Sequence, residues 1–220
     1  MRSRFDKELA QLNSELINMG TLIEEAIQNA VGALVNQNVE QAHRAVDFDV
    51  DVDQKEKDIE NICYKLLLHQ QPVAGDLRFI SAAMKVVTDV ERIGDHAADI
   101  AEIVPHLAGV RKAGDPAVSR SIEMGRKAHK MLQDAMSAFA AEDEAAAKAV
   151  IDADDAVDYD FNTIKRMLAA EIAADPGKVD AALDVLMVIK YLERIGDHAV
   201  NIAEWVEFLR TGRYHHEKMF

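Results

Sequence analysis

The chain has 220 residues, enough for one large domain or two small ones, each with a core of its own. Four prolines, ten glycines and 5% aromatics supply few turn and strand residues, so the composition speaks for helix over sheet. The 39 acidic against 25 basic residues give a formal charge of -14, which excludes nucleic acid and anionic membrane surfaces as electrostatic partners and favours cations and basic protein surfaces.

From Phe5, the apolar positions Leu9, Leu12, Leu16, Met19, Ile23, Ile27, Ala30 and Leu34 follow three- and four-residue steps, the pattern of one long amphipathic helix. A break at Asn36 to Val39 precedes a second helical pattern through Ile59, Ile62, Leu66 and Leu67. It ends in the Q-Q-P-V-A-G-D stretch, where Pro72 and Gly75 mark a turn. Asp76 is placed to cap a third helix, which carries Ile80, Met84, Val87, Val90, Ile93, Ala97 and Ile100 and is expected to stop near Pro105. After the linker A-G-V-R-K-A-G-D at 108 to 115, Pro116 suits the first turn of a fourth helix to about Ala140. A fifth spans roughly Glu142 to Ala173, D-P-G at 175 to 177 breaks it, and a sixth runs from about Lys178 to Leu209.

The single cysteine, Cys63, has no disulfide partner within the chain and falls near the apolar arc of the second helix, as a core residue would. The start M-R-S-R-F-D-K-E lacks the apolar run of a signal peptide, and the densest apolar run, V-L-M-V-I at 185 to 189, is flanked by charges and too short for a membrane span. A cytoplasmic location is therefore expected.

The last helix of each half carries the same segment. E-R-I-G-D-H-A-A-D-I-A-E at 91 to 102 and E-R-I-G-D-H-A-V-N-I-A-E at 193 to 204 agree at ten of twelve positions. The chain thus reads as an internal duplication, residues 1–110 and 111–220, each half three helices of about 45 Å with short antiparallel connections. The expected fold class is all-α: two elongated three-helix bundles side by side.

Residues on a helix advance by about 100°. With Glu91 as origin, Asp95, Asp99 and Glu102 lie within about 80°, whereas Val86, Val90, Ile93, Ala97 and Ile100 centre about 220° away. The acids therefore form a stripe facing away from the core. On the second helix Asp49, Asp53, Glu56 and Glu60 fall within about 60° of one another. The second half offers Asp154 and Asp158, then Glu193, Asp197 and Glu204, with Asn201 in the place of Asp99 and Phe161 and Lys165 in the places of Glu56 and Glu60. Its stripe is shorter, so the halves are not equivalent.

Like charges four residues apart destabilise a helix by roughly 0.2 to 0.5 kcal/mol per pair. A solvated acidic face is the ordinary explanation of such runs. Recurrence in the same helices of both halves speaks instead for multivalent cations, of the hard kind that oxygen ligands suit: magnesium, calcium, manganese or iron. Asp49, Asp51, Asp53 and Glu60 also match positions of an EF-hand loop, but Gln54 replaces its turn glycine and the flanking periodicity is helical. The Glu-x-x-His pairs of inward di-iron sites are not the pattern found. Gly94 and Gly196 cost about 1 kcal/mol each in a helix, which points to close helix packing. His96 and His198 lie about 140° from Glu91 and Glu193 and read as surface or interface residues. His215 and His216, in a polar tail, are weak metal candidates.

The paired E-R-I-G-D-H-A segments, the Q-Q-P-V-A-G-D-L-R turn at 70 to 78, and Asp-x-x-x-Asp at 49 to 53 and 154 to 158 resemble the PhoU family over essentially the whole chain. The resemblance implies two three-helix bundles related by a pseudo-twofold axis, with metal ions on the surface between two helices of each half. Carried over residue by residue, it implies metal ligands at Asp49, Asp53, Glu91, Asp95 and Asp99, and at Asp154, Asp158, Glu193 and Asp197. Iron, manganese and magnesium all suit such ligands. It further implies a non-enzymatic regulator that represses the phosphate-starvation response and restrains phosphate uptake. Such a protein links a sensor histidine kinase to the phosphate-specific ABC transporter, whose ATPase subunit is the expected contact, and works as a homodimer or higher homo-oligomer. A rival expectation is a metal-dependent hydrolase or a phosphotransfer protein using His96 or His198.

Overall fold

The computed structural model describes residues 2–69, 72–112, 114–214 and 217–218. Six long helices follow one another: α1 (Arg2–Asn36), α2 (Val39–His69), α3 (Ala74–Leu107), α4 (Pro116–Ala141), α5 (Glu144–Ala174) and α6 (Val179–Thr211). A short 3-10 turn at Pro176–Lys178 precedes α6, and beyond it β1 (Arg213–Tyr214) pairs antiparallel with β2 (Glu217–Lys218). His215 and His216 lie outside the described residues.

Local chemistry accounts for most of the boundaries. The Asp115 carboxylate accepts from Ala117 N and Val118 N, with Pro116 in the first turn of α4. Asp143 caps α5 in the same way, and Gly212 closes α6 in the left-handed region at φ 70°. One expectation needs correction. Asp76 does not cap α3: the helix begins at Ala74, its N-cap Val73 offers no side-chain acceptor, and Asp76 lies inside the first turn, where a negative charge still suits the helix dipole. α3 does end near Pro105, at Leu107, with the proline inside its last turn. α2 is continuous from Val39 to His69, so Asp49 to Glu60 form helix and no EF-hand loop.

Helices α1, α2 and α3 pack on one another, as do α4, α5 and α6, and the two bundles join through α1 against α4 and α3 against α6. Their buried faces merge into one apolar core that includes Ile23, Ile59, Ile93, Phe139, Leu192 and Phe208. Cys63 belongs to it, and burial pushes its thiol up to about 12, so it is no nucleophile.

The expected pseudo-twofold relation is written in the contacts. On the register that aligns Asp49 with Asp154, Gly20 matches Gly125 and Val31 matches Met136. A Cβ on Gly20 would lie 3.0 Å from Met136 Cε, and one on Gly125 would lie 2.8 Å from Val31 Cγ2, so each repeat makes the other's contact. Gln133 Nε2 donates to Glu24 Oε2 at 2.8 Å, and the equivalent pair, Gln28 and His129, stands 3.3 Å apart. The hairpin turns repeat as well: Gln37 and Glu142, equivalent residues, both take φ 51°. Asn38 N then reaches Ala33 O at 3.1 Å, and Asp143 N reaches Ala138 O at 2.9 Å, the 6→1 bond of a Schellman ending.

One equivalent pair exchanges its charges. In the first repeat Lys55 Nζ binds Glu15 Oε2 at 2.7 Å, with both side chains about a quarter exposed. In the second, Asp160 and Arg120 occupy the same two places with the signs reversed. Asp160, only 3% exposed, accepts from Arg120 at 2.7 Å and from Lys127 at 2.6 Å.

Candidate functional site

In the first repeat α2 and α3 bring the two predicted stripes face to face. Asp49 is raised in pKa, first by burial and then by the like charges of Asp95, Asp53, Asp99 and Glu102. Glu91 is pushed up to about 7 by burial and by Asp95, with Glu56 and Asp53 adding to the effect and Arg92 opposing it. Glu56 is raised by burial and Glu60. All five first-half residues expected to hold metal are therefore in one field of mutual repulsion. Asp49 Oδ1 and Glu91 Oε2 are buried without a hydrogen-bond partner, although Arg92 Nε stands 3.4 Å from Glu91 Oε2 and its Nη1 donates to Asp95 Oδ2 at 2.8 Å.

The second repeat builds the counterpart between α5 and α6. Asp154 is pushed up to about 6 by burial and by Asp158, Asp197, Asp155 and Glu193. Asp197 is raised by burial and Glu193. Both sides carry counter-charge, Lys57 standing 3.6 Å from Asp53 in the first repeat. Lys190 pairs with Glu193, Arg194 Nη1 lies 3.4 Å from Asp197 Oδ2, and Lys190 also sits over the Phe161 ring.

The two glycines of the repeated segment let these walls close. A Cβ on Gly94 would lie 2.9 Å from Ile23 Cδ1 and 3.2 Å from Val52 Cγ1. One on Gly196 would lie 3.0 Å from Asp154 Oδ1 and 3.5 Å from Val157 Cγ1. Packing is thus the role of Gly94. Gly196 in addition lets the Asp154 carboxylate come in beside the α6 backbone.

The donor set suits a hard cation: hard oxygens only, clustered, partly buried and short of internal counter-charge. Among the described residues, no three His, Cys, Asp or Glu side chains already stand in ligating geometry. Arg92, Arg194 and Lys190 pair with several of the carboxylates instead, and a cation would compete with these basic groups.

Asn201 shows why the second stripe is shorter. Its Nδ2 donates to Asp89 Oδ1 at 3.0 Å, across the junction of α6 with α3, instead of extending the carboxylate row. The same Asp89 oxygen receives His198 Nδ1 at 2.8 Å. His198 is 8% exposed, and the His96 ring lies 5.6 Å from it and 5.5 Å from Tyr191. The two histidines therefore do stand at an interface, the one between the repeats, and His198 is closed to an incoming phosphodonor. Sequence reasoning did not single out Asp89 or Tyr191. Their signal was their equivalence on the register that aligns Glu91 with Glu193, which puts both beside the axis.

A family model described as PhoU domain matches the chain twice, at residues 16–104 and 122–206. The chain is 37% identical over 213 residues to the phosphate-specific transport system accessory protein PhoU homolog of Clostridium acetobutylicum, covering 96% of each. With the homolog of the same name from Pseudomonas aeruginosa it shares 36%, over 95% of this chain and 86% of that one. The crystal structure of PhoU from Pseudomonas aeruginosa superposes with a TM-score of 0.91 at 35% identity, covering 95% of this chain and all (100%) of that one. A phosphate transport system regulatory protein PhoU from Streptococcus pneumoniae follows at 0.87 and 29%, covering 96% and 98%.

Proposed function

This chain belongs to the PhoU family, and from that premise we propose that it is a non-enzymatic accessory protein of phosphate transport, whose two carboxylate clusters take up multivalent cations. The observation that supports the cation part is the crowding itself. Glu91 and Asp154 are held near neutral pKa by burial and by neighbours of their own sign, a cost that a bound divalent or trivalent ion removes. Iron, manganese and magnesium all fit an oxygen-only ligand set. Among the described residues no helix is long and apolar enough to cross a membrane, so recruitment to a transporter would run through a protein contact.

In this reading the protein works in the cytoplasm. It contacts the ATPase subunit of the phosphate ABC transporter on one side and a sensor histidine kinase on the other, keeping the phosphate-starvation response off while phosphate is plentiful. Cations on the two clusters neutralise the outward stripes and set which helix face is presented. Deletion of the gene is expected to give constitutive expression of phosphate-scavenging genes, read by an alkaline phosphatase reporter in high phosphate. Genes that stay silent in low and in high phosphate alike, with normal uptake, would sink the proposal.

A further inference from the structure

The repeats meet at two equivalent residues. His96 and His198 occupy the same place in the duplicated segment and touch each other across α3 and α6, so the pseudo-twofold axis passes between their rings. The centroids are 5.6 Å apart with the planes tilted by 34°. His198 is buried, its side chain 11% exposed. Its Nε2 and both ring nitrogens of His96 are shielded from solvent, and none of the three has a hydrogen-bond partner.

Each ring has a carboxylate on its Nδ1 side. Asp89 Oδ1 accepts from His198 Nδ1 at 2.8 Å, and Asp99 Oδ2 lies 3.6 Å from His96 Nδ1. When His198 is neutral and donates its Nδ1–H to Asp89, its lone pair is on Nε2. This is the tautomer and orientation that a carboxylate behind a metal-bound imidazole enforces. Two imidazoles bound to one tetrahedral ion at about 2.0–2.1 Å would have centroids roughly 5 Å apart, close to the separation found. Buried polar atoms in native proteins almost always find a partner, and apart from Asp99 at 3.6 Å from His96 Nδ1 these nitrogens have no protein group within hydrogen-bond reach.

We propose that the seam between the repeats is a transition-metal site in which His96 and His198 each give one ring nitrogen to a single divalent ion. Asp89 is a positioning residue for His198. Two imidazoles do not close a coordination sphere, and since no third His, Cys, Asp or Glu among the described residues stands in ligating geometry, the remaining places fall to water carried in with the ion. The ion belongs to the imidazole-preferring class, zinc, cobalt or nickel, unlike the hard cations of the carboxylate clusters. Because one ligand comes from each half, it would staple the two bundles at their axis.

The test uses the full chain, metal-depleted, with His215→Ala and His216→Ala removing an independent source of imidazole, and Co2+ as the probe. One equivalent should produce the intense visible absorption of a low-coordinate imidazole site, which six-oxygen coordination does not give. The band should vanish in His96→Gln and in His198→Gln. It should persist when Asp49, Asp53, Glu91 and Asp95 are neutralised to Asn, Asn, Gln and Asn. Asp89→Asn should weaken Co2+ binding by about tenfold or more. A band that survives both histidine changes would overturn the site. X-ray absorption of the one-to-one Co2+ complex, with no seam residue replaced, gives a readout that needs no variant fold: scattering from two imidazoles is expected, and an oxygen-only shell would leave water as the partner of these nitrogens. The carboxylate reading stands or falls separately, because the histidine variants leave Asp49, Asp53, Glu91 and Asp95 in place.

Discussion

Kept in chelator, the protein is expected to lose stability as the pH rises from about 4 to about 7, by on the order of 3 kcal/mol, the reverse of the usual behaviour of paired carboxylates. Glu91 holds its proton in the fold up to about 7 against an ordinary 4.5, and Asp154 up to about 6 against 3.8. Between those limits each of these two carboxyls binds more protons in the fold than in the unfolded chain and so favours unfolding as the pH rises, while His96 and His129, both lowered by burial, work the other way and reduce the net slope. At the acidic end both states are protonated and the repulsion is absent. Above about 7 both states are ionised and the full cost of crowding is present. Either group alone corresponds to about 3 kcal/mol. The Glu91 side chain is only 13% exposed, so solvent screening removes little of its share, but the two contributions need not add in full. Urea midpoints measured from pH 4 to 8 in chelator read the slope. Saturating Mn2+ should flatten or invert it, since the ion binds the ionised form. A rise in stability across this window in chelator that persists in Glu91→Gln and Asp154→Asn alike would show that the carboxylates are not crowded.

Asp160→Ala should destabilise the protein by about 3 kcal/mol, the low end of what removing one member of a buried ion pair costs. The carboxylate is 3% exposed and satisfies two cations at once, Arg120 and Lys127, so its loss strands both. They are 35% and 44% exposed and can turn toward water, which keeps the cost from going higher. The reversed pair of the first repeat provides the internal control. Lys55→Ala, with 27% and 26% exposed partners, should cost about 1 kcal/mol or less. The check is a shift in urea midpoint at unchanged slope, larger for Asp160→Ala by roughly 2 kcal/mol. Equal effects in the two repeats would mean that burial does not distinguish the pairs.

The stripes were legible because they depend on one helix at a time. The angular step that groups Glu91 with Asp95 and Asp99 needs no neighbour, and the apolar arc opposite fixes which way the group faces. Helix ends were legible where a side chain marks them, as Asp115 and Pro116 do, and less so where the backbone ends a helix unaided. Ala74 and Gln37 carry no such mark. What one helix cannot reveal is its partner in the other repeat. His96 and His198 sit on the flank between the acidic stripe and the apolar arc, and periodicity leaves that flank to solvent or to contact. Only the docking of α3 on α6 makes it buried and places Asp89 behind His198. Asn201, met in the sequence as a missing carboxylate, turns out to hold that same junction. The swapped pair of Arg120 with Asp160 was hidden for a similar reason, since neither residue departs from the pattern of its own helix.

The central claim is that the outward stripes hold cations, and it is met most directly by counting them. Metal-depleted full-length chain is dialysed against Mn2+ and its bound metal measured beside the variant with Asp49, Asp53, Glu91 and Asp95 replaced by Asn, Asn, Gln and Asn. The first-half share should disappear from the variant, while the share of Asp154, Asp158, Glu193 and Asp197 remains. Equal metal content in the two proteins would contradict the assignment.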